Sequence, residues 1–266
     1  MLYGMKLSRL LLVLTMSLAP ALAQLRAPNE AGVAMGHWHF AVHNIEEQQK
    51  FWKTLGGVPV QNGRLQLIQF PGVFVMLRQA DPKDGTVGSV VNHVGFYVKD
   101  LAAARAKWEA AGLKLEPNLT PVNFFINGPD NIRIEIFEKK DLDTPIASHH
   151  THFFTTAGSE MQAWYVKTFG ATPGKRNNFD TANLPGNELA FNVTKEPQAG
   201  TKGRSLDHIG FEVKNLAAFC KKLEAEGIKF DQPYRTLPES TTSIAFLTDP
   251  WGTSIELTEN LAPAGK

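Results

Sequence analysis

The sequence predicts an α+β protein made of four copies of one β-α-β-β(-β) unit. Three observations predict it. The stretch "HVGFYVKDLAAARAKWEAAGLKL" from His93 recurs as "HIGFEVKNLAAFCKKLEAEGIKF" from His208, with more than half of the positions identical. Two looser copies start at His37 and His150, so the four starts lie 56, 57 and 58 residues apart. Each copy also runs from alternating apolar residues to helical spacing and back to alternation.

The opening strand comes first. Val94, Phe96 and Val98 fall on one face, and His93, Gly95 and Tyr97 on the other. In the fourth copy Ile209, Phe211 and Val213 oppose His208, Gly210 and Glu212. The apolar face must be buried, which places it under a helix. Helices follow at once. Asn44, Asp100 and Asn215 each stand seven residues after the leading histidine and are good N-caps, Asn44 with Glu47 as a capping box. Leu101, Ala104, Trp108 and Ala111, and likewise Leu216, Phe219, Cys220 and Leu223, then recur at helical spacing. In the third copy Trp164-Tyr165 falls where Phe51-Trp52 falls in the first. Closing strands are read in "LQLIQF", "VFVMLRQ", "VNFFIN", "IRIEIFE", "ELAFNVT", "SIAFLTD" and "TSIELTE".

Copies one and two are expected to form one module, residues 36–138, and copies three and four another, residues 149–260. The polar "EKKDLDTPIAS" is read as the linker between modules, and "NVTKEPQAGTKGRS" as the loop joining copies three and four.

Ahead of the repeats, Lys6 and Arg9 precede the apolar run Leu10–Leu18 and an Ala21-Leu22-Ala23 site. This reads as a signal peptide over residues 1–23, cut after Ala23, and so as a secreted or periplasmic protein with no membrane attachment after cleavage. A formal net charge of +1 and the absence of basic blocks argue against nucleic-acid partners. The single cysteine, Cys220, lies on an apolar helix stripe, so the core must hold by packing or by metal rather than by an internal disulfide.

Copies two and four end alike, in "GPDNIRIEIFE" and "DPWGTSIELTE". Ile132, Ile134 and Ile136 share a face, so Glu135 points the other way, as Glu256 does beside Ile255 and Leu257. Both acids therefore project from the histidine-bearing face, where a buried carboxylate needs a metal or a basic side chain.

The "H-[IV]-G-F-x-V-K-[DN]-L" starts and "[GD]-P-x-[NG]-x-x-I-E-[IL]" ends resemble the vicinal oxygen chelate superfamily, which holds glyoxalases, bleomycin-resistance proteins and extradiol dioxygenases. The likeness runs from Gly36 to Glu259. It implies glyoxalase-like modules with open barrel-like clefts and a divalent metal ion in them, Fe, Zn, Ni or Mn. Carried over by motif, it implies one metal set of His37, His93 and Glu135, and another of His150, His208 and Glu256. Two histidines and a carboxylate leave coordination places for a substrate with vicinal oxygens. The second set is favoured, because "DPWGTSIEL" is closer to the family form. A further histidine lies two residues on in copies one and three, so His39 and His152 remain open as alternative ligands, fourth ligands or hydrogen-bonding supports.

Parts of the familiar reactions are missing. Where glyoxalases carry a further glutamate, this chain has Met76 in one unit and Ala190 or Phe191 in the other. Extradiol dioxygenases use extra His and Tyr groups, but no His lies between Lys175 and Thr194, and Tyr234 stands without one. No catalytic base is assigned. The expected activity is lyase or isomerase chemistry on a small molecule, by a monomer or homodimer. An iron-dependent dioxygenase and a non-catalytic small-molecule binder are the alternatives. Trp38, Phe124, Phe125, Phe153 and Phe154 are expected mainly in the core, and Arg64, Arg78, Arg133 and Arg235 mainly at the surface.

Overall fold

The computed structural model describes residues 25–263, so the expected signal peptide lies outside the described residues. All four units are present, each a strand, a helix and three further strands. The first has β1 (Val33–Val42), α1 (Ile45–Leu55), β2 (Val58–Asn62), β3 (Leu65–Phe70) and β4 (Val73–Gln79). The second has β5 (Val91–Val98), α2 (Leu101–Ala110), β6 (Lys114–Leu115), β7 (Asn123–Asn127) and β8 (Arg133–Glu138). The third has β9 (Ile146–Thr155), α3 (Gly158–Phe169), β10 (Thr172–Arg176), β11 (Phe179–Leu184) and β12 (Asn187–Val193). The fourth has β13 (Leu206–Val213), α4 (Leu216–Ala225), β14 (Phe230–Thr236), β15 (Ser243–Thr248) and β16 (Ser254–Glu259). Three helices start on the expected caps: Asn44, Asp100 and Asn215 accept from the backbone N–H of Glu47, Ala103 and Ala218. Among the described residues no helix is long and apolar enough to cross a membrane.

The units pair differently from the expected order. One eight-stranded sheet runs β14-β15-β16-β13-β1-β4-β3-β2 and joins the fourth unit to the first. The other runs β10-β11-β12-β9-β5-β8-β7-β6 and joins the third to the second. Both are open, and both are completed within one chain. Modules at 36–138 and 149–260 are therefore not the units of sheet formation. The chain between β8 and β9 was read as an inter-module linker, but it stays within one sheet. The loop between β12 and β13 crosses from one sheet to the other. Either pairing would unite an H-x-H unit with an H-x-G…E unit, so residue chemistry does not separate them.

The apolar faces share one core. Trp38 of β1 packs 5.4 Å from Phe96 of β5, Phe70 lies 4.7 Å from Phe96, and Phe169 of α3 lies 4.8 Å from Phe211 of β13. Trp38 Nε1 donates to Thr151 Oγ1 of β9 at 2.9 Å, tying the two sheets together between the two H-x-H motifs. Cys220 is buried in this core, and burial pushes its thiol up to about 11.

A smaller apolar cluster fills part of the opposite face of the first sheet. Leu261 packs there with Leu67 and Phe74. Glu212 fastens this C-terminal stretch, accepting from Leu261 N at 3.2 Å and from Thr258 Oγ1 at 2.7 Å. Burial pushes its carboxyl up from 4.5 to about 7. Between these values the folded chain holds a proton that the unfolded chain releases, so stability falls as pH rises through about 7. Glu212→Gln is expected to exceed the parent by less than about 1 kcal/mol at pH 5 and by roughly 2–4 kcal/mol at pH 8. Urea unfolding at the two values checks this, and an equal difference at both would contradict it.

Candidate metal centres

Strand register brings the histidines together. In the first sheet β1 runs antiparallel to β13, with His39 opposite His208 and His37 opposite Gly210; Gly210 in turn sits beside Glu256 of β16. In the second, His93 stands opposite His152 and Gly95 opposite His150, with Glu135 of β8 beside Gly95. The result is two groups of four donors: His37, His39, His208 and Glu256, and His93, Glu135, His150 and His152. In each group one donor atom per residue lies within 4.8 Å of all the others. All six expected residues are therefore used, in crossed combinations. His37 does not meet His93 and Glu135, and His150 does not meet His208 and Glu256. His39 and His152 join as fourth members.

Distances are tight. His37 Nε2 and His208 Nε2 lie 2.9 and 3.0 Å from Glu256 Oε2. His93 Nε2 and His150 Nε2 lie 3.1 and 3.3 Å from Glu135 Oε2, and His152 Nδ1 lies 3.1 Å from His93 Nε2. Seven of the eight members are buried, and His39 is partly exposed. His37 Nδ1, both ring nitrogens of His39, and the Nε2 atoms of His150 and His152 have no hydrogen-bond partner. Buried imidazole nitrogens without partners are costly. A divalent cation suits this set, since metal–nitrogen and metal–oxygen bonds of about 2.0–2.2 Å hold donors roughly 3–4 Å apart.

Neighbouring groups fix the rings. His208 Nδ1 donates to Asp207 Oδ1 at 2.8 Å, and His93 Nδ1 donates to Asn92 Oδ1 at 3.0 Å, which leaves each Nε2 facing its glutamate. His149 Nδ1 lies 3.0 Å from His150 Nδ1, and Asn123 Nδ2 donates to Glu135 Oε1 at 2.6 Å. Burial holds His37, His39, His93, His150 and His152 below the ordinary histidine value, and therefore neutral, the form that ligates metal. For Glu256 burial pushes upward, but the hydrogen bonds from His208 and His37 outweigh it and keep the carboxyl ionised. For His208 burial pushes downward, and Asp207 with Glu256 reverses this to a raised value.

Gly95 and Gly210 make room for the imidazoles. A Cβ on Gly210 would stand 2.0 Å from His37 Cε1, and one on Gly95 would stand 2.1 Å from His150 Cε1. The H-x-G pattern showed these glycines without showing their use, because the ring they admit comes from another unit.

Met76 stands beside His39 on the neighbouring strand, and Ala190 beside His152. Each H-x-H motif thus sets an imidazole next to the place where a second carboxylate is missing. The second cleft also holds residues that the sequence left unassigned. Tyr97 stacks on His149 at 3.8 Å. Arg176 lies over Phe137 and Phe179, at 5.7 and 5.8 Å. It comes from β10, "TPGKR", whose Pro and Gly hide the strand. Phe125 faces His93 at 5.1 Å with Arg133 above it at 3.7 Å. Phe154, expected in the core, lies 5.5 Å from His152, whereas Trp38, Phe124 and Phe153 are core residues. Tyr234 is exposed on β14.

Residues 147–257 match the family model of the Glyoxalase/Bleomycin resistance protein/Dioxygenase superfamily. No curated protein matches the sequence. Among solved structures, glyoxalase I from Zea mays is similar at 16% identity and a TM-score of 0.70, covering 86% of this chain and 92% of that one. A provisionally assigned dioxygenase from Bacillus subtilis is similar at 13% identity and a TM-score of 0.66, covering 91% of this chain and 87% of that one. At these identities the likeness to both is one of fold. The family match spans the third and fourth units, and the fold shared with these solved structures runs across most of the chain's length.

Proposed function

We propose that this is an exported, divalent-metal-dependent protein that performs lyase or isomerase chemistry on a small molecule with neighbouring oxygens. One observation carries the reading: two sets of three imidazoles and one carboxylate, buried but for a partly exposed His39, with ring nitrogens that have no hydrogen-bond partner. His37, His39, His208 and Glu256 would hold one ion, and His93, Glu135, His150 and His152 the other. When bound, such an ion supplies Lewis-acid polarisation of substrate oxygens. Three neutral imidazoles and one carboxylate leave a dication with net charge of about +1, which favours an anionic enolate more than a two-carboxylate set does. Asp207 and Asn92 orient His208 and His93. Met76 and Ala190 cannot move a proton, so the transfer in the usual glyoxalase scheme falls to another group. Export rests on the basic, apolar and Ala-x-Ala pattern of residues 1–23 and predicts a secreted or periplasmic protein beginning at Gln24.

A second reading is an iron-dependent extradiol-type dioxygenase. The Tyr97–His149 stack favours it, since it puts acid–base groups into the second cleft.

Metal analysis of the purified mature protein tests the proposal. Two ions per chain are expected, with Glu256→Ala and Glu135→Ala each losing one. Zinc, nickel or manganese with substrate isomerisation supports the first reading, and iron with oxygen consumption the second. A chain that takes up no metal sinks both and leaves a small-molecule binder.

A further inference from the structure

Among the matched positions at which the two clefts differ, one lies at a hairpin. Asn62 and Arg176 each end the strand after the helix, at the hairpin facing Leu65 and Phe179 respectively. In the first cleft Asn62 Nδ2 donates to the backbone oxygens of Asn260 and Leu261, both at 3.0 Å, and Leu261 packs on Leu67 and Phe74. The chain's own C-terminal stretch thus occupies that end of the cleft. In the second cleft Arg176 Nε donates to Glu188 Oε1 at 2.6 Å, which anchors the guanidinium, while its Nη2 is buried without a partner. The guanidinium carbon lies 5.7 Å from the Phe137 ring centroid and 5.8 Å from that of Phe179, and those rings lie 6.0 Å from His150 and 4.9 Å from His152 respectively. Glu188 and Phe74 are matched as well: each is paired with the first histidine of its H-x-H motif.

We infer that the second cleft is the substrate cleft and that its substrate is a small carboxylate with an aromatic or apolar body, its carboxylate taken by Arg176 and its neighbouring oxygens directed to the centre of His93, Glu135, His150 and His152. The inference rests on the metal reading above. Charge-assisted, planar donors select carboxylates, and an unsatisfied buried N–H is satisfied by such a ligand. Phe137, Phe179 and the Tyr97–His149 stack supply flat walls for the body. The first cleft has no counterpart, because its matched position already holds peptide oxygens of its own chain.

The test compares two chelating probes, catechol and 3,4-dihydroxybenzoate, which differ only by the carboxylate. Calorimetric titration of each into the zinc-loaded, full-length mature protein without oxygen gives the ratio of affinities, and zinc content is measured on the same samples. The carboxylate is expected to bind about 10- to 100-fold more tightly. Arg176→Met alone strands Glu188, so the double variant R176M/E188Q is used beside it, and the ratio is expected to fall to within about threefold of unity with zinc retained. Arg176→Lys is expected to restore part of the preference. Glu135→Ala is expected to lose binding of both probes. A ratio near one in the parent, no binding of either probe to a zinc-replete parent, or a ratio that survives R176M/E188Q overturns the inference and leaves the metal reading standing. A parent that takes up no zinc overturns the metal reading itself, and the inference falls with it.

Discussion

Gly210→Ala is expected to expel the His37 ring and with it the ion of the first centre. The substituted Cβ would stand 2.0 Å from Cε1 and 2.2 Å from Nδ1 of His37, far inside contact distance. The strand backbone at residue 210 is held on both sides, by β1 and by β16, so it is the imidazole that must move. Once turned away, the ring loses its 2.9 Å approach to Glu256. First-centre affinity should fall by more than about 100-fold, beyond the loss usual for a supporting residue, because a ligand itself is displaced. Overpacking should cost a further 1–3 kcal/mol or so of stability. Gly95→Ala should do the same to His150 and the second centre. Metal stoichiometry with urea midpoints checks both. A G210A chain holding two ions at parental affinity would mean that His37 does not point where it is placed here.

That effect was out of reach of the sequence, although the residues were in view. The repeat starting at His37, His93, His150 and His208 made the units legible, because a strand face, a cap seven residues on and an apolar helix stripe are all local patterns. Glu135 and Glu256 were legible for the same reason, as acids on the polar side of alternating strands. Pairing of units is not local. His37 and His150 head equivalent units, and His93 with Glu135 is chemically interchangeable with His208 and Glu256. Linker composition also misled: the polar, Pro-containing stretch after β8 looked like a module boundary, yet its seven residues join strands of one sheet. Supporting groups were hidden by parity. Asp207 and His149 neighbour centre histidines in sequence, where alternation assigns them to the other face, yet the hydrogen bonds His208–Asp207 and His150–His149 form. Arg176 was missed because its strand carries no β-branched or alternating signature apart from Thr172.

The crossed pairing has a sharper consequence than the loss of one ion in one variant. His37 and Glu256 lie 219 residues apart and share a single centre. Removing both should cost no more metal than removing Glu256 alone. In the sequential arrangement they would belong to different centres, and the double variant would lose both. Each buried donor removed also leaves its partners unsatisfied, so some destabilisation accompanies either change, about 1–3 kcal/mol per stranded group. The second centre, built from other strands, should nevertheless remain loaded.

The measurement that tests this most directly is the metal content of the His37→Ala/Glu256→Ala double variant beside the parent and Glu256→Ala. Two ions per chain in the parent, one in Glu256→Ala and still one in the double variant is the predicted result. Two, one and none would contradict it.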